Sequence, residues 1–315
     1  MKIVITDGYA LNPGDLNWDI IAACGDIVVY ERTSPEEFME RCMDAEIILT
    51  NKVPVNKEAI EKCKKLKLIS VLATGYNVID TKAASDNKIV VCNVPAYGTD
   101  SVAQHSFALL LELTNRVGRH SSSVTNGDWQ KSPDWCYSLA PIMELAGKTL
   151  GIVGFGHIGQ RVARIAAAFG MQVIYYRLHE KPTTLGKYMD LQTLFASSDA
   201  VTLHCPLTAD NHEFVNKNLL RLMKTSAFII NTARGLLIQE QDLADALNND
   251  QIAGAALDVL STEPPGENNP LLVAKNCIIT PHNAWMSKEA RQRIMDETFK
   301  NIEAFLHHQP INLVI

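Results

Sequence analysis

The stretch Leu150–Tyr176, LGIVGFGHIGQRVARIAAAFGMQVIYY, limits the possible folds of this chain more than any other. The apolar run Thr149–Val153 suits a buried parallel strand. Gly154, Gly156 and Gly159 follow at the spacing G-x-G-x-x-G. Gln160–Phe169 is predicted as a helix with Val162, Ile165, Ala166 and Phe169 on one face. Gly170 stops it, and Val173–Tyr176 begins a second strand. Each glycine meets a need of a dinucleotide site. The first permits a tight turn, the second lets a diphosphate approach the backbone, and the third lets helix and strand pack closely. The helix N-terminus adds unpaired N–H groups and partial positive charge. A lone glycine triplet says little, but strand, turn, helix and strand occurring in order make one βαβ unit.

The rest of the chain sets bounds on partners. With 315 residues, 47% of them hydrophobic, the length favours two domains. Lys plus Arg total 29 against 35 Asp plus Glu, a net charge of −6, so no electrostatic footprint for nucleic acid is present. No apolar run is long enough for a bilayer, and MKIVITDGYALNPG lacks a signal-peptide layout; a cytoplasmic protein without a membrane partner is expected. Cys24, Cys42, Cys63, Cys92, Cys136, Cys205 and Cys277 are widely spaced with no C-x-x-C, which predicts reduced thiols and no metal site.

In the first hundred residues, strands are predicted at Lys2–Thr6, Ile27–Tyr30, Ile47–Thr50, Leu68–Leu72 and Ile89–Cys92. Helices are predicted near Leu16–Ala23, Pro35–Met43, Asn56–Cys63 and Asp80–Asn87, with Ser34 and Glu37 forming a capping box. This alternation implies a parallel sheet wound on both faces. Thr99 to about Thr125 reads as one long helix capped by Ser101 or Asp100. Leu109, Leu110, Leu111 and Leu113 spread its apolar surface, as for a helix buried between domains or against another subunit. Asn126–Gly147 reads as a loop rich in aromatics, among them Trp129, Trp135 and Tyr137. Further strands are expected at Ala200–Leu203, Ala227–Asn231, Ala253–Asp258 and Cys277–Thr280. The matching helices are Leu191–Ala196, Lys217–Met223, Glu240–Asn248 and Ser287–His307. The fold class is thus α/β with two doubly wound parallel-sheet domains. A Rossmann dinucleotide-binding domain, residues 99–282, is inserted into a flavodoxin-like substrate-binding domain, residues 1–98 and 283–315.

Three motifs stand at predicted strand ends, where ligands bind in open α/β sheets. IINTARG places Arg234 on a loop, where a guanidinium can grip a carboxylate through two parallel N–H bonds. ALDVLSTEPP supplies Asp258 and Glu263. ITPHNAW supplies His282. Singly, each has a bland reading as a surface or structural residue. Together they divide the work of carbonyl redox chemistry: an imidazole to donate a proton near neutral pH, a carboxylate to orient it, and a cationic fork for the substrate's acid group.

These blocks, with LATGYNVID and VPAYGTDSVAQH, closely resemble the D-isomer-specific 2-hydroxyacid dehydrogenase family over nearly the full chain, and within it the glycerate dehydrogenase or hydroxypyruvate reductase branch. The resemblance implies that Arg234, Glu263 and His282 are catalytic, with His282 as acid/base. It implies that the backbone amides of Thr74 and Gly75 receive the substrate carboxylate alongside Arg234. The cofactor would contact Gly154, Phe155, Gly156, His157, Ile158 and Gly159, then Thr232 and Ala233. His204, Cys205 and Pro206 would line its adenine side, and Asp258 would hold the nicotinamide amide. A homodimer through the long helix is also implied.

One residue departs from an NAD pattern. After Tyr176, where an acidic residue usually bonds the ribose 2′-hydroxyl, stands Arg177. The site is therefore expected to take NADP or NAD, with NADP favoured by Arg177. The expected substrate is a short 2-keto acid such as hydroxypyruvate or glyoxylate, reduced to D-glycerate or glycolate. Tyr76, Trp285 and Trp135 are candidates for its pocket, or equally for core or dimer packing. Reduction of pyruvate by a D-lactate dehydrogenase is an alternative, and so is a non-catalytic NAD(H)-sensing scaffold on the same fold. A methyltransferase would not need Arg234, Glu263 and His282 together, and a short-chain dehydrogenase would need a Y-x-x-x-K pair, which is absent.

Overall fold

The computed structural model describes residues 1–314 and divides into two compact units, one formed by Met1–Gly98 and Trp285–Ile315, the other by Thr99–Ala284. The first unit holds β1 (Lys2–Ile5), α1 (Gly8–Leu11), α2 (Asp19–Ala22), β2 (Asp26–Val29) and α3 (Pro35–Cys42). They are followed by β3 (Ile47–Thr50), α4 (Lys57–Lys62), β4 (Leu68–Val71), α5 (Thr81–Asp86) and β5 (Val90–Cys92). Its sheet is parallel in the order β2-β1-β3-β4-β5, the flavodoxin-like arrangement. Alternate residues explain the layers. Val4, Ile48, Ile69 and Val91 face Phe38, Ile60 and Ala83 of α3, α4 and α5. The C-terminal helix Lys288–Leu306 packs against β4 and α2. It brings buried Arg291 into a bidentate pair with Asp15, at 2.6 and 2.7 Å.

The Ser34–Glu37 capping box is present, with Glu37 N bonding Ser34 Oγ and Ser34 N bonding the Glu37 carboxylate. Such a cap contributes about 1 kcal/mol. The helix expected near Leu16–Ala23 is present in shortened form as α2, and α1 is an additional turn that was not expected. Between them, Asn12 Oδ1 accepts from Gly14 N and Leu16 N and holds the chain in a loop.

The second unit holds α6 (Thr99–Asn115), α7 (Val117–Thr125), β6 (Thr149–Val153), α8 (His157–Ala168), β7 (Gln172–Tyr176) and β8 (Lys187–Tyr188). It continues through α9 (Leu191–Ser197), β9 (Ala200–Leu203), α10 (Lys217–Leu220), β10 (Phe228–Asn231), α11 (Glu240–Asn248), β11 (Gly254–Leu257) and β12 (Cys277–Ile279). The order β12-β11-β10-β9-β6-β7-β8 is parallel throughout and reverses between β6 and β9, as in a Rossmann sheet. One face packs Leu150, Ile152, Phe228 and Ile230 under α6 and α8. The other packs Val201, Leu203, Ile229 and Leu257 over α9, α10 and α11.

Several expectations are corrected here. The long helix breaks at Arg116, whose φ of +51° is left-handed. The Thr114 carbonyl accepts from Met143 N, and Gly118 N is taken by the Glu112 carboxylate, so α7 starts afresh. Asp100 and Ser101 lie inside α6 and do not cap it. Asp100 pairs with Arg161 at 2.7 Å, and Ser101 Oγ donates to the Ala284 carbonyl. The apolar girth of α6 is largely absorbed within the unit, where Leu109, Leu110 and Leu113 join the core beside α8 and the sheet. Helix α8 begins at His157, three residues before the expected start, because Gly156 is its N-cap. Helix α10 stops at Leu220, where i→i−3 bonds from Leu222 and Met223 tighten the chain. Asn283 and Ala284 stay with the second unit, since their N–H groups bond Asp258.

Candidate active site

The glycine turn sits at the point where the sheet order reverses. Gly154 has φ +95°, and a Cβ there would lie 2.4 Å from Cys205 N and 2.5 Å from His204 C, so only glycine lets the turn after β6 meet the turn after β9. At Gly159 a Cβ would lie 2.2 Å from the Gly154 carbonyl, which fixes the close packing of helix on strand. A Cβ at Gly156 would meet nothing within 4 Å. No side chain caps α8, so its first N–H groups are left for an outside acceptor. His204 hydrogen-bonds Thr202 through Nε2 at 2.9 Å, while its sealed Nδ1 has no partner among the described residues. Burial drives this imidazole down to about 3, so it is neutral, and pushes the Cys205 thiol up to about 11. Pro206 is exposed beside them. Arg177 directly follows β7, whose Tyr176 carbonyl accepts from Gly154 N at 2.9 Å. Among the described residues its guanidinium makes no hydrogen bond or ion pair.

The loops beyond β10, β11 and β12 carry the remaining candidates. Asn231 folds the first: its Oδ1 accepts from Ala233 N and its Nδ2 donates to the Arg234 carbonyl. Thr232 is buried against Ser106, and Arg234 is exposed; among the described residues its side chain bonds only through Nη1, to the Ala233 carbonyl. Asp258 is 1% exposed and acts as a hub. Its Oδ1 accepts from Thr280 Oγ1 at 2.6 Å and Asn283 N at 2.9 Å, and its Oδ2 from Ala284 N at 2.9 Å. It therefore fixes both sides of His282, and one acceptor position is left on Oδ2. His282 has a left-handed φ of +52°, and its Nδ1 lies 2.5 Å from Glu263 Oε2. The other carboxylate oxygen of Glu263 accepts from Leu260 N. Among the described residues, the far ring nitrogen of His282 makes no hydrogen bond.

Residues 107–284 match the family model of the D-isomer specific 2-hydroxyacid dehydrogenase, NAD binding domain. The hydroxypyruvate reductase of Blautia hydrogenotrophica is 48% identical over 100% of this chain and 99% of its own. The glycerate dehydrogenase of Methylorubrum extorquens is 42% identical over 90% of each chain. The chain belongs to the D-isomer-specific 2-hydroxyacid dehydrogenase family. Among solved structures, an acyclic imino acid reductase, Bsp5, in complex with NADPH and D-Arg superposes with a TM-score of 0.88 at 34% identity, over 100% of both chains.

A dehydrogenase of this family uses a nicotinamide dinucleotide, and the residues here fit one. The open space above Gly156, the uncapped start of α8 and the orphaned Nδ1 of His204 each offer what a diphosphate and a nucleoside need. Three residues that brace these loops were not singled out from the sequence. A Cβ at Gly235 would lie 1.9 Å from Leu260 C, so the Arg234 loop and the Glu263 loop touch through backbone alone. Glu240 bonds Ser261 and Asn269 on either side of Glu263. His105 Nε2 lies 3.1 Å from Thr280 Oγ1 and 3.5 Å from Asp258 Oδ1, bracing the hub from α6. Gly235 and His105 appear in the sequence motifs only as the last residues of IINTARG and VPAYGTDSVAQH, and Glu240 only as the first residue of a predicted helix.

In the first unit, Thr74 and Gly75 stand just past β4. Thr74 Oγ1 donates to the Val94 carbonyl and the Thr74 carbonyl accepts from Asn93 Nδ2, which braces the loop. Among the described residues, neither Thr74 nor Gly75 donates its backbone N–H. Tyr76 is exposed, whereas Trp285 is buried edge-on against Tyr97 at 6.1 Å, so it packs the core. Trp135 is 86% exposed. Among the described residues no helix is long and apolar enough to cross a membrane.

Proposed function

We propose that this dehydrogenase reduces a short 2-keto acid, hydroxypyruvate or glyoxylate, to the D-2-hydroxy acid. The observation that carries the proposal is the His282–Glu263 pair at 2.5 Å, held by buried Asp258. When bound, a nicotinamide supplies the hydride that adds to the substrate's carbonyl carbon. His282 Nε2 donates the proton to the carbonyl oxygen, and Glu263 holds the ring so that this nitrogen faces it. Arg234, with one N–H group spent on Ala233, presents the others to the substrate's carboxylate and carbonyl. The backbone N–H groups of Thr74 and Gly75, in the first unit, are a further pair of donors suited to a carboxylate. Gly154 to Gly159 and the start of α8 hold the diphosphate, Thr232 and Ala233 line the cofactor, and His204, Cys205 and Pro206 flank the adenosine. Asp258 keeps one acceptor position for the nicotinamide amide. The first unit is the substrate-binding domain and the second the dinucleotide-binding domain.

The preferred cofactor is NADP(H). Arg177 follows Tyr176, whose carbonyl bonds Gly154 N, and a guanidinium at that strand end would pair with a 2′-phosphate; the similar Bsp5 reductase was solved with NADPH. The protein works as a cytoplasmic homodimer. Val117 is 63% exposed, Ile142 56% and Trp129 51%, apolar side chains on α7 and the following loop of the kind a second chain would cover.

Steady-state assays with hydroxypyruvate and glyoxylate test the reading. Turnover of at least one is expected, with kcat/KM higher for NADPH than for NADH by about tenfold or more, and Arg177→Asp reversing the preference. A wild type that strongly prefers NADH overturns the cofactor assignment. Cofactor binding without turnover overturns the enzyme.

A further inference from the structure

The loop that carries Glu263 is held on both sides by one side chain from another element. Glu240 opens α11, where the partial positive charge of a helix N-terminus favours a carboxylate. Its Oε1 accepts from Ser261 N at 2.7 Å, and its Oε2 from Ser261 Oγ at 2.8 Å and Asn269 Nδ2 at 2.9 Å. Ser261 lies two residues before Glu263 and Asn269 six after it, so the three bonds staple the loop across its base. Asn269 Oδ1 meanwhile caps the turn Pro270–Val273, which ties the far side of the loop to regular structure. The contact of Gly235 with the Leu260–Ser261 backbone adds a second grip from the same connection.

We infer that Glu240 is a positioning residue, which acts on the reaction by holding Glu263 against His282. The inference rests on the acid/base reading of that pair. The Glu263 carboxylate is anchored to its own loop through Leu260 N, so it moves wherever the loop moves. His282 is fixed separately, through Thr280, Asn283 and Ala284 on Asp258. Without Glu240, the Ser261 N–H and the Asn269 amide lose their acceptor. The two halves of the pair are then no longer held in one frame. The glycine turn takes no part in these bonds, so cofactor binding is untouched.

The test is a double-mutant cycle in steady state, using hydroxypyruvate and NADPH. Glu240→Ala is expected to lower kcat by about tenfold to a hundredfold, the scale of a 1 Å misplacement, with the KM for NADPH within about twofold. Glu240→Gln keeps an acceptor for Ser261 N and is expected to recover most of that loss. In a Glu263→Gln background, Glu240→Ala is expected to add less than about twofold, because there is no carboxylate left to position. A full, additive loss in that background overturns the inference, as does a rise in the KM for NADPH that accounts for the lost efficiency. Ser261→Ala, which removes only the hydroxyl bond, supplies the same comparison if Glu240→Ala does not fold. Glu263→Gln alone retaining wild-type kcat would sink the acid/base reading itself, and the positioning role with it.

Discussion

His204 makes stability depend on pH in a way that can be worked from the structure. Its imidazole falls from an ordinary 6.5 to about 3 because burial penalises the charged ring. Below pH 6.5 the unfolded chain takes up a proton that the folded chain refuses. The depressed value therefore leaves stability intact above pH 6.5 and costs stability as pH falls from there toward 3. At about 1.4 kcal/mol per unit, the 1.5 units between 6.5 and 5 amount to a loss of about 2 kcal/mol at pH 5. His204→Gln keeps a polar side chain for Thr202 but cannot titrate. Hydrogen exchange at increasing urea, read on peptides covering β9, compares the two proteins at pH 7.5 and pH 5. The wild type is expected to lose about 2 kcal/mol more than the variant between those pH values. Superimposable losses would show that the ring takes its proton in the folded state, and the burial argument would fail.

Two glycines separate folding from binding. Gly156→Ala puts its methyl into empty space, so stability should change by less than about 1 kcal/mol. The affinity for NADPH in a fluorescence titration should nevertheless fall by at least about tenfold, since the proposed site gives that space to the diphosphate; unchanged affinity would place the cofactor elsewhere. Gly235→Ala drives a methyl into the Leu260 backbone. It is expected to cost about 1–3 kcal/mol in thermal unfolding and to lower kcat by displacing the loop that bears Glu263. A variant with wild-type kcat would show that the loop does not set the geometry of the site.

What the sequence revealed is what is encoded locally. The Ser34–Glu37 capping box, the bounds of α11 and the glycine turn each depend on residues a few places apart, and all three are present as read. Strands buried on both faces announced themselves as apolar runs, which is why the alternation of elements was legible. The break at Arg116 was not, because it is stabilised by Met143, far along the chain, and by a side chain of α6. The same holds for Glu240, whose partners are Ser261 and Asn269, and for Gly235, whose need for glycine comes from the Leu260 backbone. Asp258 stood out as a strand-end carboxylate, but its work in fixing the His282 segment follows only from folded geometry. His282 and Glu263 were legible as motif residues. Their 2.5 Å approach is a product of the two loops and not of either motif.

The most direct test of the account is the rate of hydroxypyruvate reduction by His282→Ala at saturating NADPH. The account predicts that kcat falls by about a hundredfold or more, the scale of a lost general acid, while NADPH still binds. A variant that turns over hydroxypyruvate at the wild-type rate would contradict it.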